Sequence, residues 1–525
     1  MFDASVPQGR EMDDPLATEA DTPRRNARKF ANRTATIYGS RRLTYAELDA
    51  LANRVANGLL AEVKGRQQRI AFLARNSDLF FETLFGIAKA GHVSLPVNWR
   101  LSPAEIAYIL RDAGARFLFA DPDFEPVLAE LASLGVEIGR VVVFGTSKVG
   151  NTDYSAWRDS NLPRDPLVAV HPDDTFIQMY TSGTTGHPKG AEITHRASMM
   201  MRVVELSSAD PWTKWDEADV AIVQMPNFHV AGTSWALQWL ARGATCVIQT
   251  QVNPREMLEA IEAHGVTHIF AVPTVLQMML DDETCASRDF SRLKLIHYGA
   301  SPIPPPLMRR LSIFGSDLVQ YYGMTETNGV VSFLSPDLHR SGNPDILHSV
   351  GRPYPALDIR IMDASGSELP RGVIGEICIR TPAIMKGYWN RPADTAASRH
   401  GNYHRSGDAG YMTADGFLYI VDRVKDMIIS GGENIYPAEV ERVLCEHPDV
   451  REVAVVGVPD SKWGESVKAA IVAKRSVTAE ELTTFLSGKL ARYKMPKSYE
   501  FVAELPRNAA GKVLKRELRK RYAPA

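Results

Sequence analysis

Short apolar runs alternate with longer amphipathic runs along most of this chain, and that alternation limits the possible fold more than any other feature. Residues 36–38, 69–74, 93–97 and 116–120 read as strands. Between them, helices are expected over 43–63, 78–90 and 102–113. Thr44 with Glu47, and Ser102 with Glu105, have the spacing of capping boxes, and Gly91 ends the second helix. After residue 174 the alternation returns, with strands at 175–180, 220–225, 244–249, 267–272, 293–298 and 318–322 and a helix at 254–264. Such spacing predicts an α/β fold of layered, largely parallel sheets. At 525 residues the chain exceeds what one core usually serves.

From Asp358 the pattern changes to short alternating segments (358–362, 375–380, 417–421) with Gly and Pro between them. These predict a small β subdomain. A boundary is expected near 422–426, giving a large N-terminal domain over 1–424 and a small α+β domain over 425–525. The latter is expected to hold a helix from Pro437, strands near 453–458 and 469–472, a helix over 479–490 and a basic last helix over 512–522. Residues 1–30 read as a loose polar lead-in.

The densest chemistry lies at 180–195, YTSGTTGHPKGAEITH. Three glycines (Gly183, Gly186, Gly190), the hydroxyls of Thr181, Ser182, Thr184 and Thr185, and Lys189 are expected between the strand 175–180 and a helix capped by Thr194. Backbone N–H groups in such a turn can approach a phosphate closely, with hydroxyls and a lysine adding donors and charge. The spacing is not that of a Walker A loop. Three further clusters fall at strand ends, where open parallel sheets hold ligands: Pro226–His229, Tyr298-Gly299-Ala300-Ser301 and Tyr322-Gly323-Met324-Thr325-Glu326.

Composition narrows the classes. Apolar residues make up 45% and charged residues 23%, as in globular proteins, and a net charge of -2 offers no general attraction for nucleic acid. Four widely separated cysteines fit a reduced, cytoplasmic protein without a cysteine metal site. The acidic, polar N-terminus is neither a signal nor a transit peptide. The least charged stretch, 224–241, is broken by Pro226, Asn227 and His229, so no transmembrane segment is expected, although peripheral membrane contact stays open.

The motifs YTSGTTGHPKG, QYYGMTET (320–327), SGD (406–408), DRVKDMIISGGENIYP (422–437) and PRNAAGK (506–512) occur in this order. From about residue 30 onward the chain resembles AMP-forming acyl-CoA synthetases of the adenylate-forming superfamily. The resemblance implies that a carboxylate and ATP give an acyl-adenylate and pyrophosphate, after which coenzyme A displaces AMP. It also implies a mobile C-terminal domain that rotates between the two steps.

By the same resemblance, the loop from Thr181 to Gly186 with Lys189 would hold the β- and γ-phosphates. Thr325 would meet the α-phosphate and Glu326 would bind Mg²⁺. Tyr322 would stack on adenine, with Gly299, Ala300, Ser301 and Gly323 around it. Asp408 and Arg423 would take the ribose, and Lys512 would reach the α-phosphate and acyl oxygen. Asn508-Ala-Ala510 departs from the family pattern beside Lys512, but the Gly511-Lys512 pair is intact. Lys425 falls at the hinge position, and Gly431, Gly432 and Glu433 would line the pantetheine channel. His229, Trp235 and Met324 are the candidate residues for the acid.

No acidic residue lies in PNFHVAGTSW (226–235) to pair with a substrate ammonium. A neutral tail follows, with a medium- or long-chain fatty acid ahead of an aryl-alkanoic acid. The rival readings are an adenylation-only enzyme and a non-catalytic nucleotide-binding scaffold. Monomer and homodimer are both compatible with the sequence.

Overall fold

The structure, a computed structural model, describes residues 18–181, 188–299, 303–430, 433–460, 462–507 and 513–522. It is mixed α/β, as expected. The described residues fall into two compact units: 18–358 with Arg380–His404, and Ile359–Ile379 with 405–522.

The first unit holds two sheets. One runs in the order Arg352–Pro353, Gly329–Leu334, Asp317–Met324, Leu295–Gly299, His268–Ala271, Val220–Val223, Thr245–Ile248, Thr34–Tyr38, Arg41–Thr44. Its middle pairs are parallel and its margins antiparallel. The other runs Gly387–Tyr388, Lys189–Thr194, Thr175–Thr181, Val93–Pro96, Arg69–Leu73, Phe117–Ala120, Arg140–Val143, Thr152–Asp153. Every residue of Arg69–Leu73, Val93–Pro96 and Leu295–Gly299 is buried. This is why these strands read as continuous apolar runs: parallel strands are covered on both faces.

Both expected capping boxes form. Thr44 accepts from the N–H of Glu47 at the start of the helix Tyr45–Glu62, and Ser102 does the same for Glu105 at Pro103–Ala113. The helix Val230–Arg242, which the sequence reading passed over, starts after His229 and stops at Gly243 with φ +82°.

Two expectations fail in this unit. The lead-in is ordered from residue 18. Asp21–Lys29 is a helix, and the fully buried Glu19 pairs with the buried Arg202 at 2.7 Å. Its high polarity reflects ion pairs made inward, such as Arg24 with Asp165 at 2.6 Å, and not solvent exposure. The glycine-rich stretch also does not run from strand to helix. Lys189–Thr194 is a second strand, antiparallel to Thr175–Thr181 with Thr181 opposite Lys189, and the helix His195–Leu206 follows it. The stretch therefore spans a β-hairpin, and Thr194 caps the helix by accepting from the N–H of Ala197.

Asp358–Met362, Gly375–Arg380, Tyr403–Met412 and Leu418–Arg423, most of whose residues belong to the second unit, contribute to a small sheet. A second sheet runs Glu433–Ile435, Ile428–Ser430, Gly464–Ala473, Val450–Asp460, with Ser498–Phe501 alongside Gly464–Ala473. The helices Pro437–Cys445, Ala479–Leu486 and Lys515–Tyr522 complete it. Asp422 accepts from the N–H of Ala438 at 2.6 Å, tying the strand Leu418–Arg423 to the first turn of Pro437–Cys445.

Candidate active site

In the first unit, three residues named from two separate motifs meet around one phenol. Thr181 and Lys189 stand opposite each other where the hairpin strands end. Glu326 sits in the tight turn Thr325–Thr327, directly after the strand Asp317–Met324. Asn328 leaves that turn with φ +55°, and Thr327 accepts from the N–H of Met324. Tyr388 donates to Glu326 Oε1 at 2.8 Å, and Thr181 donates to the same oxygen at 3.4 Å. Lys189 Nζ lies 5.4 Å from the Tyr388 ring centre and 2.6 Å from Asp394 Oδ1. Ser182, Gly183, Thr184, Thr185 and Gly186 lie outside the described residues.

Beside this cluster the backbone comes unusually close to itself. A Cβ on Gly299 would lie 2.9 Å from the carbonyl of Tyr321, and one on Gly323 would lie 2.0 Å from that of Gly329. Only glycine fits at either place. Tyr322 is buried, and Met324 and Thr325 are half-buried. Ala300 and Ser301 lie outside the described residues.

His229 precedes the helix Val230–Arg242, with its ring 4.6 Å from that of Phe228. It is solvent-exposed. Surrounding protein, and secondarily Arg100, push its pKa down to about 4, so it is neutral at pH 7. Trp235 is buried, donates its indole N–H to the carbonyl of Ile222 at 2.8 Å, and packs on Trp239, Phe270 and His297.

Behind it runs a polar chain that sequence reading missed. Tyr321 OH is 3.0 Å from His297 Nδ1, His297 Nε2 is 3.1 Å from His268 Nδ1, and His268 Nε2 is 3.6 Å from Asp219. Burial lowers the pKa of both imidazoles. The Asp219 carboxylate thus favours one set of proton positions, with each ring donating toward it.

In the second unit, Asp408 is buried and opposite Arg423 in register, with Arg423 Nε 2.9 Å from Asp408 Oδ1. Ser406 accepts from the Asp408 N–H at 3.0 Å, and Gly407 takes φ +72°. Lys425 is exposed in the short turn Val424–Asp426, and Glu433 is exposed at the start of Glu433–Ile435. Gly431, Gly432 and Lys512 lie outside the described residues. Among the described residues no cluster of His, Cys, Asp and Glu could hold a metal by itself. Glu326 fits a hard cation only as one oxygen ligand among others. No described helix is long and apolar enough to cross a membrane.

Residues 23–389 match the family model described as AMP-binding enzyme, and residues 439–512 match that for the AMP-binding enzyme C-terminal domain. This chain belongs to the AMP-binding enzymes. Among curated relatives, a fatty acid–[acyl-carrier-protein] ligase, ScoC of Streptomyces coeruleorubidus, is 39% identical over 97% of both chains. A feruloyl-CoA synthase of an Amycolatopsis species is 38% identical over 95% of this chain and 98% of its own. Among solved structures, the o-succinylbenzoate CoA synthetase of Bacillus subtilis with its acyl-adenylate OSB-AMP aligns with a TM-score of 0.83 at 32% identity, covering 96% of this chain and 98% of that one. The same synthetase is also known with ATP and a magnesium ion.

As an AMP-binding enzyme of the acyl-CoA synthetase group, the chain binds ATP and forms acyl-adenylates. Two residues at the centre of its charged cluster, Tyr388 and Asp394, were not found by motif reading. Their only trace in the sequence is GYWNRPADT (387–395), which shows a turn and no chemistry.

Proposed function

We propose that this AMP-binding enzyme joins an apolar carboxylic acid to AMP and then passes the acyl group to the thiol of coenzyme A. The supporting observation is the meeting of Thr181, Lys189 and Glu326 around Tyr388. A carboxylate gains a leaving group only if the α-phosphorus is held in line and its growing charge offset, and a lysine, a hydroxyl and a carboxylate for a cation are the groups that requires. Bound Mg²⁺ at Glu326 would neutralise phosphate charge.

The remaining roles are these. Thr325 and Lys512 attend the α-phosphate, and Tyr322 with Gly299 and Gly323 flanks the adenine. Asp408 and Arg423 take the ribose, and the C-terminal domain, from residue 425, pivots at Lys425. Gly431, Gly432 and Glu433 then serve the thiol arm.

The acid is fatty or aryl-alkanoic. The surroundings of His229 support this, since a neutral imidazole and the Arg100 charge give a substrate ammonium no counter-ion. The cytoplasm suits its four free cysteines. The likeness to the carrier-protein ligase supports a second reading in which the accepting thiol sits on an acyl carrier protein.

One experiment separates these readings. Pyrophosphate release is measured over a panel of fatty and aryl-alkanoic acids, and products with coenzyme A or holo-acyl carrier protein are identified by mass spectrometry. Acid-dependent pyrophosphate release with acyl-CoA formation is expected. ATP turnover indifferent to every acid would overturn the proposal. Within this assay Lys512→Ala should slow adenylation by about 10²-fold and leave thioester formation from supplied acyl-AMP intact.

A further inference from the structure

Lys189 and Glu326 are each held by a residue from a single short corner of the first unit. The strand Gly387–Tyr388 pairs antiparallel with Lys189–Thr194, setting Tyr388 opposite Ala191, and the helix Pro392–Ala397 follows. The corner is tightly built. Thr395 accepts from the N–H of Tyr388 and donates to the carbonyl of Arg391, both at 2.9 Å. A Cβ on Gly387 would come within 2.9 Å of the Thr395 methyl. Between strand and helix, Trp389 is fixed on three sides. Its backbone N–H donates to Gly190 at 2.8 Å, its indole N–H donates to Asp112 at 3.0 Å, and Arg69 lies 3.4 Å over its ring.

From this corner Asp394 reaches Lys189 and Tyr388 reaches Glu326. A lysine on its four-carbon stem is a mobile charge, and fixing it costs rotamer freedom. Asp394 takes one of the three ammonium protons and leaves two for a phosphate. Tyr388 donates its phenol proton to Glu326 Oε1 at 2.8 Å, which fixes the direction in which that carboxylate faces.

We propose that Asp394 and Tyr388 are positioning residues for the triphosphate end of the site: Asp394 aims Lys189, and Tyr388 aims Glu326. This rests on the reading of Lys189 as a phosphate ligand and Glu326 as the magnesium ligand.

The test uses the full-length enzyme and the variants Asp394→Asn, Asp394→Glu, Tyr388→Phe, Lys189→Ala and Asp394→Asn/Lys189→Ala. KM for ATP is read from pyrophosphate release, and affinity for AMP, which lacks the distal phosphates, from calorimetry. Asp394→Asn should raise KM for ATP by about tenfold, the usual weight of one charge-assisted hydrogen bond, with AMP affinity unchanged. Asp394→Glu should recover most of that loss. In the Lys189→Ala background Asp394→Asn should add nothing. Tyr388→Phe should raise the free Mg²⁺ needed for half-maximal rate by several-fold on the same grounds.

A fall in KM for ATP in Asp394→Asn would make Asp394 a competitor of phosphate and overturn the proposal. Equal weakening of ATP and AMP, full additivity with Lys189→Ala, or an unchanged Mg²⁺ requirement in Tyr388→Phe would also overturn it. If Lys189→Ala itself leaves KM for ATP unchanged, the underlying reading of Lys189 fails first.

Discussion

Two regions of the first unit, a short distance apart along the strand Asp317–Met324, are built on opposite principles. At its end, around Glu326, charges are exposed enough to be useful and each is held by a hydrogen-bonded partner: Lys189 by Asp394, Glu326 by Tyr388. Deeper in, around Tyr321 and Trp235, the space is packed with Trp215, Trp239, Phe270 and His297, and even the imidazoles are neutral. The difference teaches which currency each region uses. The outer region acts by charge and can be rewritten without loss of fold, whereas the inner one acts by volume and cannot.

Trp235→Ala gives the largest effect expected from this contrast. Removing the buried indole also leaves the Ile222 carbonyl without its partner, and should cost about 3–5 kcal/mol of stability, read by calorimetry or denaturant unfolding. KM for ATP should hardly move in whatever fraction stays folded. A stable variant with impaired ATP use would erase the distinction between the two regions.

Next comes Glu326→Gln, isosteric and on the outer side. Its rate of pyrophosphate release should fall about 10²- to 10³-fold, the scale for a transition-state electrostatic contact, with the unfolding transition in place. A variant that unfolds would show that the outer carboxylate is structural.

The smallest effect is in pH. Burial pushes the pKa of His92, His195 and His339 down to about 4. As pH falls below the ordinary value of about 6.5, the unfolded chain takes up these protons first. Stability is therefore full above that pH and is lost progressively toward 4. Burial raises the pKa of Glu205 to about 7, with Arg242 opposing, and gives the reverse sign: its contribution is present below about 4.5 and lost as pH rises through 7. The thermal midpoint should fall between pH 7 and 5, less steeply in His339→Asn and more steeply in Glu205→Gln. Identical slopes in all three proteins would show that these interior groups do not titrate as their surroundings imply.

Much of this architecture was legible in the sequence, for local reasons. The strands at 69–74 and 293–298 announce themselves as apolar runs, and the caps at Thr44 and Ser102 need only residues three apart. Thr181, Lys189 and Glu326 were named by motif, and the fold brings them together. What stayed hidden is what long-range pairing decides. Lys189–Thr194 became a strand because Thr175–Thr181 and Gly387–Tyr388 flank it on either side. Asp394 is 205 positions from the lysine that it holds, and Glu19 is 183 from Arg202. No window of sequence reports such partners, and polar residues awaiting them look like surface.

The burial of Glu19 against Arg202 has a practical side. Anyone tidying the N-terminus would be tempted to cut near residue 30, where the recognisable motifs have not yet begun. That cut removes the buried carboxylate that pairs with the Arg202 guanidinium and leaves this interior cation without its ion-pair partner. Any shortening of this protein has to keep Glu19 and the helix Asp21–Lys29 that follows it.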